Sequence, residues 1–279
     1  MSGWGPDGQA MAASITFDHL GEASEIQRGE WPAGRPVGRH PSVTESLPQV
    51  LGLLRETGSR AIFYVEALNC ELYPGAIGSI PEAGHSVGWH GWFNEPTYAQ
   101  TPEQFAEAFG QSVAAFRDIG VPLTAARPPG GLLGPHAAGT FSAAGFDYLS
   151  LAGDEYGLHG ELPLLPYAWR NIDGCYYFPE VSPFGWPSSP EPLGVGAMLR
   201  AHRAYIDQTA AAGGCTSFIF HVPWVDRPER FDALRALIRM LSDDERVWFA
   251  GSGEIATWMR EHPDQVPAVA HHVDAPPAR

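Results

Sequence analysis

Seven polar side chains stand at or just beyond the ends of short apolar runs. Asp18 and His19 follow Ala12–Phe17, Glu66 and Asn69 follow Arg60–Val65, and His90 follows Ser86–Trp89. Arg127 follows Leu123–Ala126, and His221 follows Thr216–Phe220. Carboxylates and imidazoles are the groups that move protons and hold metal ions. Packing alone does not put so many unrelated titratable groups at successive strand ends, and in a parallel α/β barrel those ends converge on one rim, where the site is built. The run of coincidences therefore defines a site.

The elements that must position these residues alternate. Two further strand-like runs, Tyr148–Ser150 and Val247–Ala250, bring the number to seven. Helix-like stretches cover Glu71–Ala83, Pro102–Ile119, Pro135–Ala144, Leu193–Ala212, Arg227–Leu241 and Gly253–His262. An earlier helix is expected from Ser42, with Glu45 completing a capping box, to about Gly58, and Pro48 kinks it. Such alternation reads as a parallel α/β barrel or an open doubly wound sheet. The stretch from Gly153 to Pro192, rich in Pro, Tyr and Trp, reads as a long insertion forming a lid or cleft wall. One catalytic domain is expected over the 279 residues, with a core of about 12–262 and a frayed tail from 263.

Composition narrows the partners. With 17 basic against 32 acidic residues the net charge is -15, which argues against nucleic acid or an anionic membrane as partner. No apolar run reaches the roughly 20 residues that cross a bilayer, and no basic cluster precedes an apolar stretch at the N-terminus. Cys70, Cys175 and Cys215 are odd in number and lack metal-like spacing. The expectation is a cytoplasmic protein with a small-molecule substrate, its homo-oligomerisation left open.

The motifs resemble the polysaccharide deacetylase family, also called the NodB-homology domain or family 4 carbohydrate esterases. The resemblance runs from Ile15 to about Met259. An apolar strand ending in Thr-Phe-Asp-Asp appears as Ile15-Thr16-Phe17-Asp18-His19, and the Gly-His-Glu-hydrophobic-Gly-x-His motif as Gly84 to His90, with Asn94 four residues on. Arg-x-Pro-x-Gly appears as Arg127-Pro128-Pro129-Gly130-Gly131, and the strand ending in His as Phe218-Ile219-Phe220-His221. The resemblance implies a distorted (β/α)7 barrel that hydrolyses an amide with a divalent metal, zinc if any. It implies Asp18 as base, His221 as acid, Arg127 as the partner that orients Asp18, and His90 as a metal ligand. His19 and Asn94 occupy the other two ligand positions, where the family has Asp and His. That departure leaves open whether a metal is kept, and Glu22 or Glu66 could supply the missing carboxylate.

His90-Gly91-Trp92, the Gly-Gly pair after Pro129 and Trp248 to Ile255 look like the intracellular imidase and allantoinase branch, which cleaves small cyclic or linear amides. Glu66, Trp92, Trp169 and Trp224 are expected to touch substrate, with Trp186 among other aromatics of a closed pocket. His85 reads as structural, His40 as a surface residue or helix-capping neighbour, and Glu22 as a residue that solvates its loop. His136, His159, His202 and His271-His272 read as surface residues. Two other readings stay open: a barrel that only binds a small molecule, and an enzyme using the same acid–base pair for a different reaction.

Overall fold

The computed structural model describes residues 3–135, 137–179, 189 and 191–270. His136, Trp186 and the His271-His272 pair lie outside them. Strand β1 (Met11–Asp18) is buried along its whole length. It pairs in parallel with β2 (Ala61–Val65), which continues into β3 (Ser86–Trp89), β4 (Leu123–Ala126) and β5 (Tyr148–Ala152). Near-continuous apolar strands suit a parallel sheet covered on both faces.

The supposed insertion is part of the sheet. It contains β6 (Gly157–His159) and β7 (Leu162–Tyr167), which pair antiparallel with each other, and β7 runs parallel to β5. The sequence Leu162-Pro163-Leu164-Leu165-Pro166-Tyr167 hides this strand, because proline donates no ladder hydrogen bond and reads as a breaker. Then come β8 (Cys215–His221), parallel to β1 over seven residue pairs, and β9 (Val247–Phe249), paired with the start of β1. The order β6-β7-β5-β4-β3-β2-β1-β8 curls toward closure where Ile172, just beyond β7, bridges Ile219 of β8. The result is a distorted (β/α) barrel, a mixed sheet curled into a half-barrel with helices around it.

The helices follow the local signals with two exceptions. Helix α1 (Ala23–Gln27) is short. The expected capping box at Ser42 is absent: Pro41 caps a π turn over Ser42–Ser46, and α2 (Leu47–Thr57) follows, closed by Gly58 in the left-handed conformation. The Ser42 hydroxyl is engaged elsewhere, accepting the Gly21 N–H at 2.9 Å. Pro74 splits the stretch from Glu71 into α3 (Leu68–Leu72) and α4 (Pro74–Glu82). Helix α5 (Pro102–Asp118) opens with a Thr101–Gln104 capping box and buries Phe105, Phe109 and Phe116. Helices α6 (Ala137–Ala143), α7 (Gly174–Tyr177), α8 (Gly194–Ala212), α9 (Pro228–Ser242) and α10 (Ser252–Glu261) complete the shell. Among the described residues no helix is long and apolar enough to cross a membrane.

His202 is not a surface residue. On α8 it shares a buried face with Met198, Tyr205 and Ile206, spaced as one helical stripe. Its ring packs between Tyr176 and Phe218, and neither nitrogen makes a hydrogen bond of ordinary geometry. Burial pushes its pKa down to about 3, against an opposing pull from the Arg170 backbone. Below its ordinary value of 6.5 the unfolded chain therefore takes up a proton that the folded chain refuses. The stability that depends on neutral His202 is full above that pH and lost as the pH falls from there toward about 3. His202→Leu should flatten the drop in melting temperature between about pH 7.5 and about pH 5; a drop as steep as wild type would refute this.

Candidate active site

The C-terminal ends of β1, β2, β3, β4 and β8 bring the expected polar residues together. Asp18 and His221 are register partners on adjacent parallel strands. Arg127, fully buried, lies behind Asp18 and donates from Nη1 to Asp18 Oδ1 at 2.5 Å and to Thr16 Oγ1 at 2.9 Å. Its Nε and Nη2 both donate to Ser150 Oγ, at 3.2 and 2.8 Å. The guanidinium lies 4.1 Å from the Tyr64 ring centre and 4.8 Å from that of Tyr167. Gly88 makes room for this stack, since a Cβ there would lie 2.6 Å from the Tyr64 ring. Burial alone would raise the Asp18 carboxyl, but Arg127, followed by His90, His221 and His19, outweighs it and holds the group below its ordinary value. Asp18 is thus ionised, with Oδ2 at 3.9 Å from His90 Nε2.

His221 has a partner that sequence reasoning missed. Asp173, buried at the N-terminus of α7, accepts from His221 Nδ1 at 2.6 Å, from the His221 backbone N–H at 3.0 Å and from Gly174 N–H at 2.6 Å. These bonds fix His221 with Nδ1 as donor and leave Nε2 for chemistry. Trp224 packs against the same ring at a centroid distance of 3.9 Å.

The third group is a cluster of His19, Glu66 and His90, whose ligand atoms lie within 4.8 Å of one another. His19 adopts a left-handed backbone (φ 59°) in the turn after β1. Gly21 follows it, where a Cβ would meet Asn69 Oδ1 at 2.2 Å. Its Nδ1 is hydrogen-bonded to Glu66 Oε1. Burial would lower the imidazole, but the Glu66 carboxylate raises it, and Glu66 is in turn held below its ordinary value by His19 against its own burial. His90 donates from Nδ1 to the Arg127 carbonyl at 2.8 Å. Burial lowers its pKa in spite of Asp18, so the ring is neutral with Nε2 bare. Two imidazoles and a carboxylate, one imidazole already held by a backbone carbonyl, are a chemically sound donor set for a divalent cation. Asn94, also left-handed (φ 89°), carries a buried Oδ1 that has no hydrogen-bond partner among the described residues.

A cavity of about 510 Å³ opens over His19 and His221. Phe178, Pro223 and Trp224 form its apolar wall, and Gly21, Ser24, Glu25, Arg28 and Glu30 complete it. Of the residues expected to touch substrate, Trp224 lines this cavity. Glu66 is wholly buried against His19, Trp92 is buried beside a separate groove with Phe93, and Trp169 packs near Tyr167. Two loop residues also prove to be buried. Glu22 accepts from Tyr73 Oη at 2.5 Å and from Gly38 N–H at 2.6 Å, and His40 bonds Ser42 Oγ through Nδ1 at 2.7 Å.

A curled mixed sheet with its polar groups gathered at one rim, together with the family match that follows, defines the class: a hydrolase of N-acyl bonds, an amidohydrolase-type enzyme. The polysaccharide deacetylase model matches residues 9–149, and the chain belongs to that family. Among solved structures it is similar to a Mycobacterium smegmatis protein assigned as a polysaccharide deacetylase, at 23% identity and TM-score 0.82, covering 98% of this chain and 97% of that one. The Puue allantoinase follows at 18% identity and TM-score 0.72, covering 91% and 92%. A family 4 carbohydrate esterase pseudoenzyme from Bacillus anthracis matches at 12% identity and TM-score 0.55, covering 88% and 65%. At these identities the likeness is one of fold. No curated protein matches the chain.

Arg127→Met should leave Asp18 buried without its cation and cost about 3–5 kcal/mol of stability, the usual penalty for breaking a buried ion pair. Denaturant titration checks this, and an unchanged midpoint would count against the pair.

Proposed function

We propose that the protein hydrolyses a carbon–nitrogen bond, other than a peptide bond, in a small amide, imide or N-acylated metabolite. Asp18 would serve as base and His221 as acid. The observation that supports this most is the register pairing of the two on neighbouring strands, each held by its own buried partner, Arg127 or Asp173. Ionised Asp18, with Oδ2 outside any hydrogen bond, takes a proton from the attacking water. The field that keeps Asp18 charged also makes it a weak base, so its contribution comes from placement. His221, as an imidazolium whose Nδ1–H is held by Asp173, gives its Nε2 proton to the departing nitrogen and is left as the neutral Nδ1–H ring. The half-apolar cavity suits a small ligand better than a glycan chain.

His19, Glu66 and His90 would hold a divalent metal, Asn94 being the further ligand that the family pattern suggests, and zinc suits two imidazoles and a carboxylate. When bound, such an ion polarises the substrate carbonyl and lowers the pKa of a bound water. Three free, buried cysteines support a reduced, cytoplasmic setting. A second reading, a barrel that binds a small molecule without turning it over, is favoured by His19 and Asn94 in place of the family's usual ligands.

Asp18→Asn and His221→Ala should each lower turnover of amides or imides by about 10² or more with the fold intact by circular dichroism. Wild-type activity in both would remove the assigned roles, and binding without turnover by the wild type would favour the second reading. Zinc added to metal-stripped protein should raise the melting temperature, and His90→Ala should abolish the rise. No rise in the wild type would exclude the cluster as a zinc site.

A further inference from the structure

We infer that Ser150 is a positioning residue for the base: by taking one edge of the Arg127 guanidinium it limits Asp18 to a single guanidinium bond and leaves the second carboxylate oxygen free for the attacking water. The inference rests on the hydrolase reading above and adds to it a residue that the reading does not use.

A guanidinium is a fork. Two of its N–H groups match the two oxygens of a carboxylate, and buried arginines frequently grip a carboxylate in this way. A carboxylate held on both oxygens has neither left over for a proton. Arg127 and Asp18 are both buried, and only Nη1 meets the carboxylate, through Oδ1 at 2.5 Å. Among the described residues Asp18 Oδ2 accepts no hydrogen bond, and it lies 3.9 Å from His90 Nε2.

Ser150 accounts for the difference. Alternation along β5 turns it to the same side as Tyr148, into the barrel, and Leu149 to the other. Its hydroxyl is 1% exposed and accepts from Nε at 3.2 Å and from Nη2 at 2.8 Å, so one oxygen holds a whole edge of the guanidinium. Thr16 Oγ1 holds Nη1 at 2.9 Å, and the Tyr64 and Tyr167 rings lie over the two faces. The group is thus fixed within its plane as well as across it. The turn that would bring Nη2 to Oδ2 pulls Nη2 and Nε off Ser150.

A neutral acceptor is what this role requires. Asp18 is the only carboxylate paired with Arg127 among the described residues. A second carboxylate at position 150 would divide the charge of Arg127 between two partners. An aliphatic side chain there would leave two N–H groups of a buried cation unpaired, and Asp18 is the acceptor at hand to satisfy one of them. The hydroxyl occupies the edge and leaves the charge to Asp18.

Ser150→Ala and Ser150→Thr test this in the intact protein. Kinetics are read on whichever of hydantoin, succinimide and N-acetylglycinamide the wild type turns over. Ser150→Ala should lower kcat by about tenfold with KM within about twofold, because a free Oδ2 matters to proton transfer and not to substrate binding. Ser150→Thr, which keeps the hydroxyl, should retain most of the turnover. A crystal structure of Ser150→Ala should show the guanidinium turned, with an N–H on each Asp18 oxygen. An unchanged kcat, a loss confined to KM, a loss shared equally by Ser150→Thr, or a single Arg127–Asp18 bond in Ser150→Ala overturns the proposal. Should Ser150→Ala not fold, Ser150→Cys takes its place, since a thiol of similar shape is a weak acceptor. If none of the three compounds is turned over, the hydrolase reading fails, and the crystal structure alone decides the role of Ser150: two bonds to Asp18 uphold it, and one overturns it.

Discussion

A guanidinium and a carboxylate face each other inside the barrel, both buried, and most of the rim is arranged around that fact. Arg127 is fully buried, so all of its hydrogen bonds must come from the protein. Thr16 and Asp18 of β1 and Ser150 of β5 supply them, and two tyrosine rings cover its faces. Its backbone is drawn into the same task, because the Arg127 carbonyl sets the tautomer of His90. One residue thus keeps Asp18 charged and leaves the His90 imidazole with a bare nitrogen. The arrangement costs desolvation, and it fixes in advance the groups that must not reorganise during reaction.

Three ionisable members of the site each have a buried partner: Asp18 has Arg127, His221 has Asp173, and His19 has Glu66. For Asp18 and His19 burial opposes the charge, and the partner offsets it. Where the family places a second aspartate after β1, this chain has an imidazole, and a carboxylate from the end of β2 stands beside it. The cluster therefore keeps one carboxylate, supplied from a different strand.

Much of this was legible in the residue order because strand ends in a parallel barrel are marked by an abrupt change from apolar to polar. Ser86–Trp89 and Leu123–Ala126 match the observed strands residue for residue, and the Asp18, Arg127 and His221 neighbourhood follows from them. What stayed hidden had physical causes. The two prolines of β7 masked a wall strand, and with it Asp173, which stands in a stretch without periodicity. The contact between His19 and Glu66 joins residues 47 positions apart, with no local signal. The buried face of α8 was readable, since Met198, His202 and Tyr205 share a helical spacing, but a lone polar residue on that stripe looked like a surface one. Glu22 and His40 were misjudged similarly, because a loop folded back on its own carboxylates leaves no periodic trace.

The seam beside β7 has a mechanical consequence. Ile172 bridges Ile219, the Asp173 backbone N–H bonds the Ile219 carbonyl at 3.1 Å, and the Asp173 carboxylate steers His221. The stave that closes the barrel and the carboxylate that aims His221 are joined through one amino acid. Breathing at that joint would turn the imidazole as well, so the integrity of the wall and the aim of His221 are a single variable.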